Sequence, residues 1–83
     1  MLEIRYFASL SERLGRNREQ INAIGIHSVE EIISLLVARG EPWQSQFSGN
    51  LPVLVAVNQQ MATFESAVQP NDEIAFFPPV TGG

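Results

Sequence analysis

The residues of this chain whose types and spacing point to chemistry lie at its C-terminal end, in the stretch Phe76 to Gly83, which reads FFPPVTGG. Gly82 and Gly83 have no side chains, so a carboxylate on Gly83 can enter a narrow channel in another protein and be attacked from either face. A carboxylate reacts with nucleophiles once it is activated, usually as an acyl-adenylate made with ATP. A sulfur donor would then give a thiocarboxylate, and an amine would give an amide conjugate.

Other kinds of chemistry find little support in the side chains. The chain has no cysteine, which excludes disulfides, thiolate metal sites and thiol nucleophiles. Its one histidine, His27, directly precedes a predicted helix, a place typical of capping or surface residues, and we expect no metal site. No phosphate-binding glycine motif occurs. We therefore expect a chain that binds no cofactor and is no enzyme on its own, activated by a partner that uses ATP.

The composition also limits the classes of partner that the chain is expected to bind. The chain of 83 residues has nine acidic and five basic side chains, all five of them arginine, for a net charge of −4. Such a domain lacks the basic stripe of a nucleic-acid or anionic-membrane binder, and an acidic domain suits a basic protein surface. No apolar run approaches the ~18 residues of a membrane span, and the N-terminus lacks the features of a signal peptide. We expect a cytoplasmic protein that binds neither membrane nor nucleic acid.

Apolar spacing predicts five strands, which are Leu2–Phe7, Glu19–Ile26, Pro52–Asn58, Met61–Phe64 and Ile74–Phe77. The main helix begins at the capping box Ser28–Glu31 and ends at Gly40. A second capping box, Ser9–Glu12, predicts a short helix that ends at Gly15. Trp43 and Phe47 are spaced for one helical turn that packs at the edge of the core.

This order of elements predicts an α+β fold of the β-grasp type. Its mixed sheet has about five strands, and the one main helix covers one face. Residues 1–79 form the domain in this prediction, and residues 80–83 form a flexible tail. Pro78 and Pro79 cannot donate to a strand ladder, so they end the last strand and start the tail. Val80 to Gly83 can then extend by roughly 13 Å.

The period of two in the first and last strands places Phe7 and Phe77 on the face that the helix leaves open. If these strands are neighbours, as a β-grasp sheet requires, the two rings form an apolar patch beside the tail. Met61 and the outward side of Val53–Val57 extend it. Single aromatic residues at a surface are common, but a group of them predicts a partner-binding surface.

The segment Asp72 to Gly83, DEIAFFPPVTGG, resembles the small, sulfur-carrier subunits of molybdopterin synthase, a family of ubiquitin-like β-grasp proteins. Val55–Gln59 and Tyr6–Ala8, with the short helix and Gly15 that follow, support the resemblance. It covers nearly the whole chain and is weakest over Glu41–Asn50.

The resemblance implies that an adenylating enzyme related to ubiquitin-activating enzymes activates Gly83 with ATP, and that Gly83 becomes a thiocarboxylate. The tail (Pro78, Pro79, Val80, Thr81 and Gly82, ending in Gly83) would enter the active site of the large synthase subunit. There the sulfur would pass to a cyclic pterin precursor of the molybdenum cofactor.

The same resemblance implies that the large subunit supplies the catalytic residues. The assembly would be a heterotetramer with two small subunits at opposite ends of a large-subunit dimer. Phe7, Met61 and Phe77 match interface positions of the family.

Three alternatives stay open from the sequence. The chain could be a sulfur carrier for thiazole synthesis or another thiolated product, since such carriers use the same tail. It could be a ubiquitin-like modifier attached to lysines of other proteins. It could also be a plain interaction domain whose tail has no chemical role. The segment Phe76–Thr81 favours the molybdopterin pathway.

Overall fold

The computed structural model describes residues 1–48 and 52–79. Its elements in chain order are β1 Leu2–Tyr6, α1 Ala8–Leu14, β2 Arg18–Ile21, α2 Val29–Val37, α3 Trp43–Ser48, β3 Leu54–Val57, β4 Gln60–Ala62 and β5 Glu73–Phe77. The five strands form one sheet in the order β2-β1-β5-β3-β4. The β1–β5 pair is parallel and the other pairs are antiparallel. The predicted α+β fold, a mixed β-grasp sheet, is confirmed.

The core lies between the helices and one face of the sheet. Alternate residues of β1 and β5 are buried, as the period of two predicts. Apolar residues of the helices pack against them, and removing this surface from water stabilises the fold. The largest fully buried side chains are Tyr6, Phe76, Leu2, Ile4, Ile32, Leu36, Ile74, Val29 and Val55. Within the described ranges, no helix combines the length and apolar character needed to cross a membrane.

Helix α2 begins with the predicted capping box. The Ser28 hydroxyl accepts a hydrogen bond from the Glu31 amide at 3.3 Å. The Glu31 carboxylate in turn accepts one from the His27 amide at 2.8 Å. Two amides at the helix start are thereby satisfied. The helix ends at Val37, and Gly40 follows it with a φ of 88°.

Helix α1 begins earlier than its capping box predicted. Phe7 has extended backbone angles, and Ala8 takes a left-handed φ of 54°. The chain therefore turns from strand into helix within one residue, and no side chain caps the helix start. The prediction that Ser9 caps this helix is wrong, whereas its predicted end at Gly15, with a φ of 76°, is confirmed.

Strand β2 is shorter than the predicted Glu19–Ile26. Its last residue, Ile21, pairs with Leu2, which is the first residue of β1, so the neighbouring strand offers no further partners. Beyond it the Asn22 side chain accepts a hydrogen bond from the Ile24 amide at 2.9 Å, which turns the chain. The length of this strand is set by its neighbour rather than by its own residues.

Helix α3 packs its two aromatic residues at the edge of the core, as predicted. The Trp43 ring meets the Tyr6 ring edge-on, with 5.5 Å between centroids. The Phe47 ring meets Phe76 edge-on at 5.1 Å. Edge-to-face contacts at these distances are favourable for aromatic rings. Trp43 and Phe47 are therefore packing residues.

A polar network joins β2 to the helix layer around Glu19. Its carboxylate accepts hydrogen bonds from the Tyr6 hydroxyl at 2.7 Å and from two Arg39 nitrogens at 2.9 and 2.8 Å. Arg16 is 3.3 Å away, and the Arg39 guanidinium also lies 4.5 Å from the centre of the Trp43 ring. Burial raises the pKa of Tyr6, and the bond to Glu19 raises it further.

The pKa of Glu19 shifts in the opposite direction. Burial alone would raise the pKa, but the hydrogen bonds from Arg39 and Tyr6, with the charge of Arg39, outweigh burial and lower it. As pH falls, the unfolded chain therefore takes up this proton before the folded chain does. The stabilisation is present above the unfolded-state pKa of about 4.3 and is lost as pH falls through the lower folded-state pKa.

The variant Glu19→Gln is expected to be less stable than the wild type by about 1–2 kcal/mol at pH 7, because its amide cannot replace the charged bonds to Arg39. The difference is expected to shrink as pH falls from 5 to 3. Urea unfolding at a series of pH values measures both. A difference that stays constant over this range would show that the Glu19 charge contributes nothing to stability.

Candidate functional site

The first and last strands bring Phe7 and Phe77 together on the open face of the sheet. Tyr6 pairs with Phe76 in the parallel β1–β5 register, and both of these side chains are fully buried. Phe7 and Phe77 each follow by one residue with extended backbone, so they point to the opposite face. Phe7 is 39% exposed and Phe77 is half-buried.

Strands β3 and β4 continue this apolar surface. Leu54 pairs with Phe77, and Ala56 pairs with both Ala75 and Met61, so these residues share the open face. Met61 lies on the edge strand β4 and is 66% exposed. We call the group Phe7, Phe77, Leu54, Ala56, Ala75 and Met61 the open-face patch. The predicted extension of the patch across β3 to Met61 thus lies on the open face.

Charged residues lie beside the open-face patch. They were not predicted from the sequence as part of the site. The Arg5 guanidinium lies 5.0 Å from the centre of the Phe7 ring and 3.8 Å from the Glu73 carboxylate. Arg18 pairs with Glu3 at 3.4 Å on the neighbouring strands. The signal was present in the sequence, because the alternation that exposes Phe7 also exposes the odd-numbered charges of β1. The face is therefore apolar at one end and charged at the other.

The base of the tail lies at the apolar end of this face. Strand β5 is central in the sheet and ends at Phe77, and half-buried Pro78 and Pro79 follow. The Phe7 amide donates a hydrogen bond to the Phe76 carbonyl at 3.1 Å, which fixes the end of the strand beside α1. The other predicted tail residues, Val80, Thr81, Gly82 and Gly83, lie outside the described residues.

The described residues form an apolar surface beside the base of the tail and pair most of their arginines internally. Over residues 1–48 and 52–79, no group of histidine and acidic side chains is arranged to hold a metal ion. Four arginines, Arg5, Arg16, Arg18 and Arg39, pair with carboxylates of the chain itself. This arrangement offers an apolar surface next to the end of the central strand β5.

Two known proteins are similar to this sequence along its whole length. The chain is 39% identical over 83 residues to the molybdopterin synthase sulfur carrier subunit of Haemophilus influenzae, with all of both chains covered. It is 32% identical to the protein of the same name from Escherichia coli, again over the full length of both.

A solved structure shows the same fold. The crystal structure of small archaeal modifier protein 1 from Haloferax volcanii superposes with a TM-score of 0.77 at 30% sequence identity. The alignment covers 99% of this chain and 98% of that one. Residues 4–83 also match the ThiS family. The chain therefore belongs to the ThiS family and has the ubiquitin-like β-grasp fold.

Proposed function

We propose that the chain is a sulfur carrier in molybdenum cofactor biosynthesis and acts as the small subunit of a molybdopterin synthase. One observation carries the proposal: the central strand β5 ends beside the open-face patch and continues through Pro78–Pro79 into the sequence Val80–Gly83. The two full-length relatives named as sulfur carrier subunits of molybdopterin synthase support the pathway.

Activation of Gly83 is the first chemical step of this proposal. An oxygen of the Gly83 carboxylate attacks the α-phosphorus of ATP in an adenylating enzyme, pyrophosphate leaves, and an acyl-adenylate forms. Gly82 and Gly83 place no side chain in the way of this approach. The carrier contributes the reacting carboxylate at the end of an extended tail, and the partner contributes the nucleotide site.

Sulfur capture and delivery follow. A sulfur donor at the oxidation level of hydrosulfide attacks the activated carbonyl, AMP leaves, and Gly83 holds a thiocarboxylate. The tail then enters the large subunit, whose residues catalyse sulfur transfer to a pterin precursor. The open-face patch binds that subunit through Phe7, Phe77 and Met61. In this proposal two carriers bind opposite ends of a large-subunit dimer in the cytoplasm.

The absence of lysine suits a chain that carries an activated acyl group. An acyl-adenylate reacts with amines as well as with sulfur, and a lysine side chain near the tail would compete with the sulfur donor. The sequence has five arginines and no lysine, and the guanidinium of arginine stays protonated and unreactive.

Mass spectrometry of the intact chain tests the proposal. The chain is incubated with the adenylating enzyme of its own organism, ATP and a sulfur source. We expect a mass increase equal to the exchange of one oxygen for one sulfur, dependent on ATP. Addition of the large subunit and the pterin precursor is expected to return the original mass. A chain that forms the adenylate and never gains sulfur would contradict the carrier role.

Protein modification is the second candidate function. The likeness to small archaeal modifier protein 1, at 30% identity over 99% of the chain, favours it. In that function a lysine amine of a target protein captures the activated Gly83 carbonyl, and an amide forms. Target proteins that gain the mass of the chain, joined to lysine through Gly83, would support modification. Thiocarboxylate without such adducts supports the carrier.

A further inference from the structure

A cleft lies on the helix side of the tail base, across the sheet from the open-face patch. Its volume is about 370 Å³, at the lower end of the range typical of ligand pockets. Its apolar walls come from α1, from the segment before β3 and from the start of the tail. The residues that form them are Leu10, Pro52, Val53, Pro78 and Pro79. The cleft thus presents an apolar surface on the side of Pro78 and Pro79 that faces away from the open-face patch.

Arg13 stands at the polar rim of this cleft. Its guanidinium donates one long hydrogen bond, of 3.4 Å, to the Gln46 side chain. The other four arginines each pair with a carboxylate, and in the described part of the chain Arg13 has no such pair. An arginine presents five donors that fit a carboxylate, and one neutral acceptor leaves most of them unused. Arg13 is therefore a positive group available to a carboxylate from outside the domain.

The cleft and the open-face patch meet where the chain leaves the sheet. Phe77 belongs to the patch and Pro78 to the cleft, while Phe7 belongs to the patch and Ser9 to the cleft. A partner that contacts both the open-face patch and the tail must also contact the residues at this boundary. The two surfaces are therefore parts of one continuous contact area around the tail base.

We propose that the cleft receives an acidic segment of the large synthase subunit. An apolar side chain of that segment fills the space between Leu10, Val53 and Pro78, and an aspartate or glutamate beside it pairs with Arg13. The pairing places a positive group of this acidic chain against a negative group of the partner. It fixes the rotation of the carrier about its tail, which apolar contacts at the open face leave less defined. The inference rests on the proposed function, since it requires the large subunit.

The Gly83 carboxylate of the chain itself is the alternative partner for Arg13 that the test must distinguish. In the complex that carboxylate is committed to the active site of the partner, as the proposed chemistry requires. The partner segment is therefore the occupant that we infer. The two occupants predict opposite effects of removing Arg13, because a contact with the chain's own terminus would compete with complex formation.

The test measures the Kd of the full chain for the large subunit by isothermal titration calorimetry. We expect Arg13→Gln to raise Kd by about fivefold to tenfold at low salt, and the effect to shrink at high salt as a charge pair is screened. Arg13→Lys, which keeps the charge, is expected to recover part of the loss. Thermal unfolding of each variant shows that the fold is intact.

Asn22→Asp is the matched control, since it changes the net charge by the same amount as Arg13→Gln. Asn22 follows Ile21, which pairs with Leu2 at the end of the sheet opposite the tail. An aspartate oxygen can still accept the Ile24 amide. We expect Kd within about twofold of the wild type for this control, the spread of a surface change worth a few tenths of a kcal/mol.

The outcomes separate the inference from the proposed function. If the wild type does not bind the large subunit, both are overturned. If Phe77→Ala weakens binding and Arg13→Gln leaves Kd unchanged, the cleft inference alone is overturned. Tighter binding of Arg13→Gln also overturns it and assigns Arg13 to the chain's own terminal carboxylate. Equal weakening by Arg13→Gln and Asn22→Asp would show a general charge effect and overturn it as well.

Discussion

A chain that lacks Gly83 is expected to fold normally and to form its thiocarboxylate at least about a hundredfold more slowly than the full chain. The deletion leaves a carboxylate on Gly82, which is chemically equivalent, so the expected loss comes from reach. One residue of extended chain spans about 3.3–3.6 Å. A misplacement of about 1 Å at a reacting centre is enough to cost about a hundredfold in rate. The rate of mass gain with adenylating enzyme, ATP and sulfur source measures the effect.

Deletion of Thr81 is the matched control for this experiment. It shortens the tail by the same one residue and keeps the terminal Gly82–Gly83 pair. We expect equal loss in the two deletions if reach is the cause. Retained activity in the Thr81 deletion alone would mean that the glycine pair matters more than length. A Gly83 deletion that gains sulfur at the wild-type rate would show that Gly83 is not the carrier residue.

Binding of the large subunit separates the chemical defect from a docking defect. The open-face patch and the tail base are complete in both deletions, so Kd is expected to rise by only a few-fold. This small change corresponds to losing the contacts of one terminal residue, well below the about 2 kcal/mol of an interface hot spot. A loss of binding as large as the loss of rate would assign the effect to docking.

The two faces of the sheet were predictable from the sequence because a strand has a fixed period of two. In β1 and β5 that period assigns Ile4 and Phe76 to the core and Phe77 to the open face, whatever the neighbours are. The capping box at Ser28 and the left-handed Gly15 are local signals of the same kind, since the groups that satisfy the helix ends lie within a few residues. Such features depend on residues that are close together in the sequence.

Features that depend on distant segments were not predictable. The end of β2 at Ile21 is set by where β1 begins, and the sequence of β2 does not contain that information. The Glu19 network joins side chains from β1, from β2, from the segment between α2 and α3 and from α3, and no local sequence pattern links them. In the sequence, Arg13 is an ordinary basic residue in the last turn of a helix. Its proposed role depends on the cleft that Pro52 and Pro78 form beside it in the fold.

Changing the neighbouring residues Phe76 and Phe77 to alanine is expected to have different effects: Phe76→Ala lowers stability, and Phe77→Ala weakens binding of the large subunit. Phe76 is fully buried, lies 6.3 Å from the Tyr6 ring in a stacked arrangement, and meets Phe47 edge-on. Its removal leaves a cavity that the surrounding rings cannot close, and the expected loss is about 3–5 kcal/mol. In a domain of this size that loss lowers Tm by at least about 12 °C.

Phe77→Ala is expected to change the stability of the domain by less than about 1 kcal/mol and to weaken large-subunit binding about thirtyfold. Phe77 is half-buried on the open face and does not contact the core cluster, so little packing is lost in the free chain. At the centre of an interface an aromatic side chain contributes about 2 kcal/mol or more, which corresponds to this factor.

Urea unfolding and calorimetric titration on the two variants decide whether one strand separates stability from recognition. Adjacent residues share the backbone and differ in the face they occupy, so each variant is the control for the other. If Phe77→Ala loses as much stability as Phe76→Ala, then Phe77 belongs to the core. If Phe77→Ala leaves both stability and Kd unchanged, the open-face patch is not the docking surface. We expect Phe76→Ala to lose stability and Phe77→Ala to lose binding. This result would show that the two faces of β5 serve different purposes, one for folding and the other for docking.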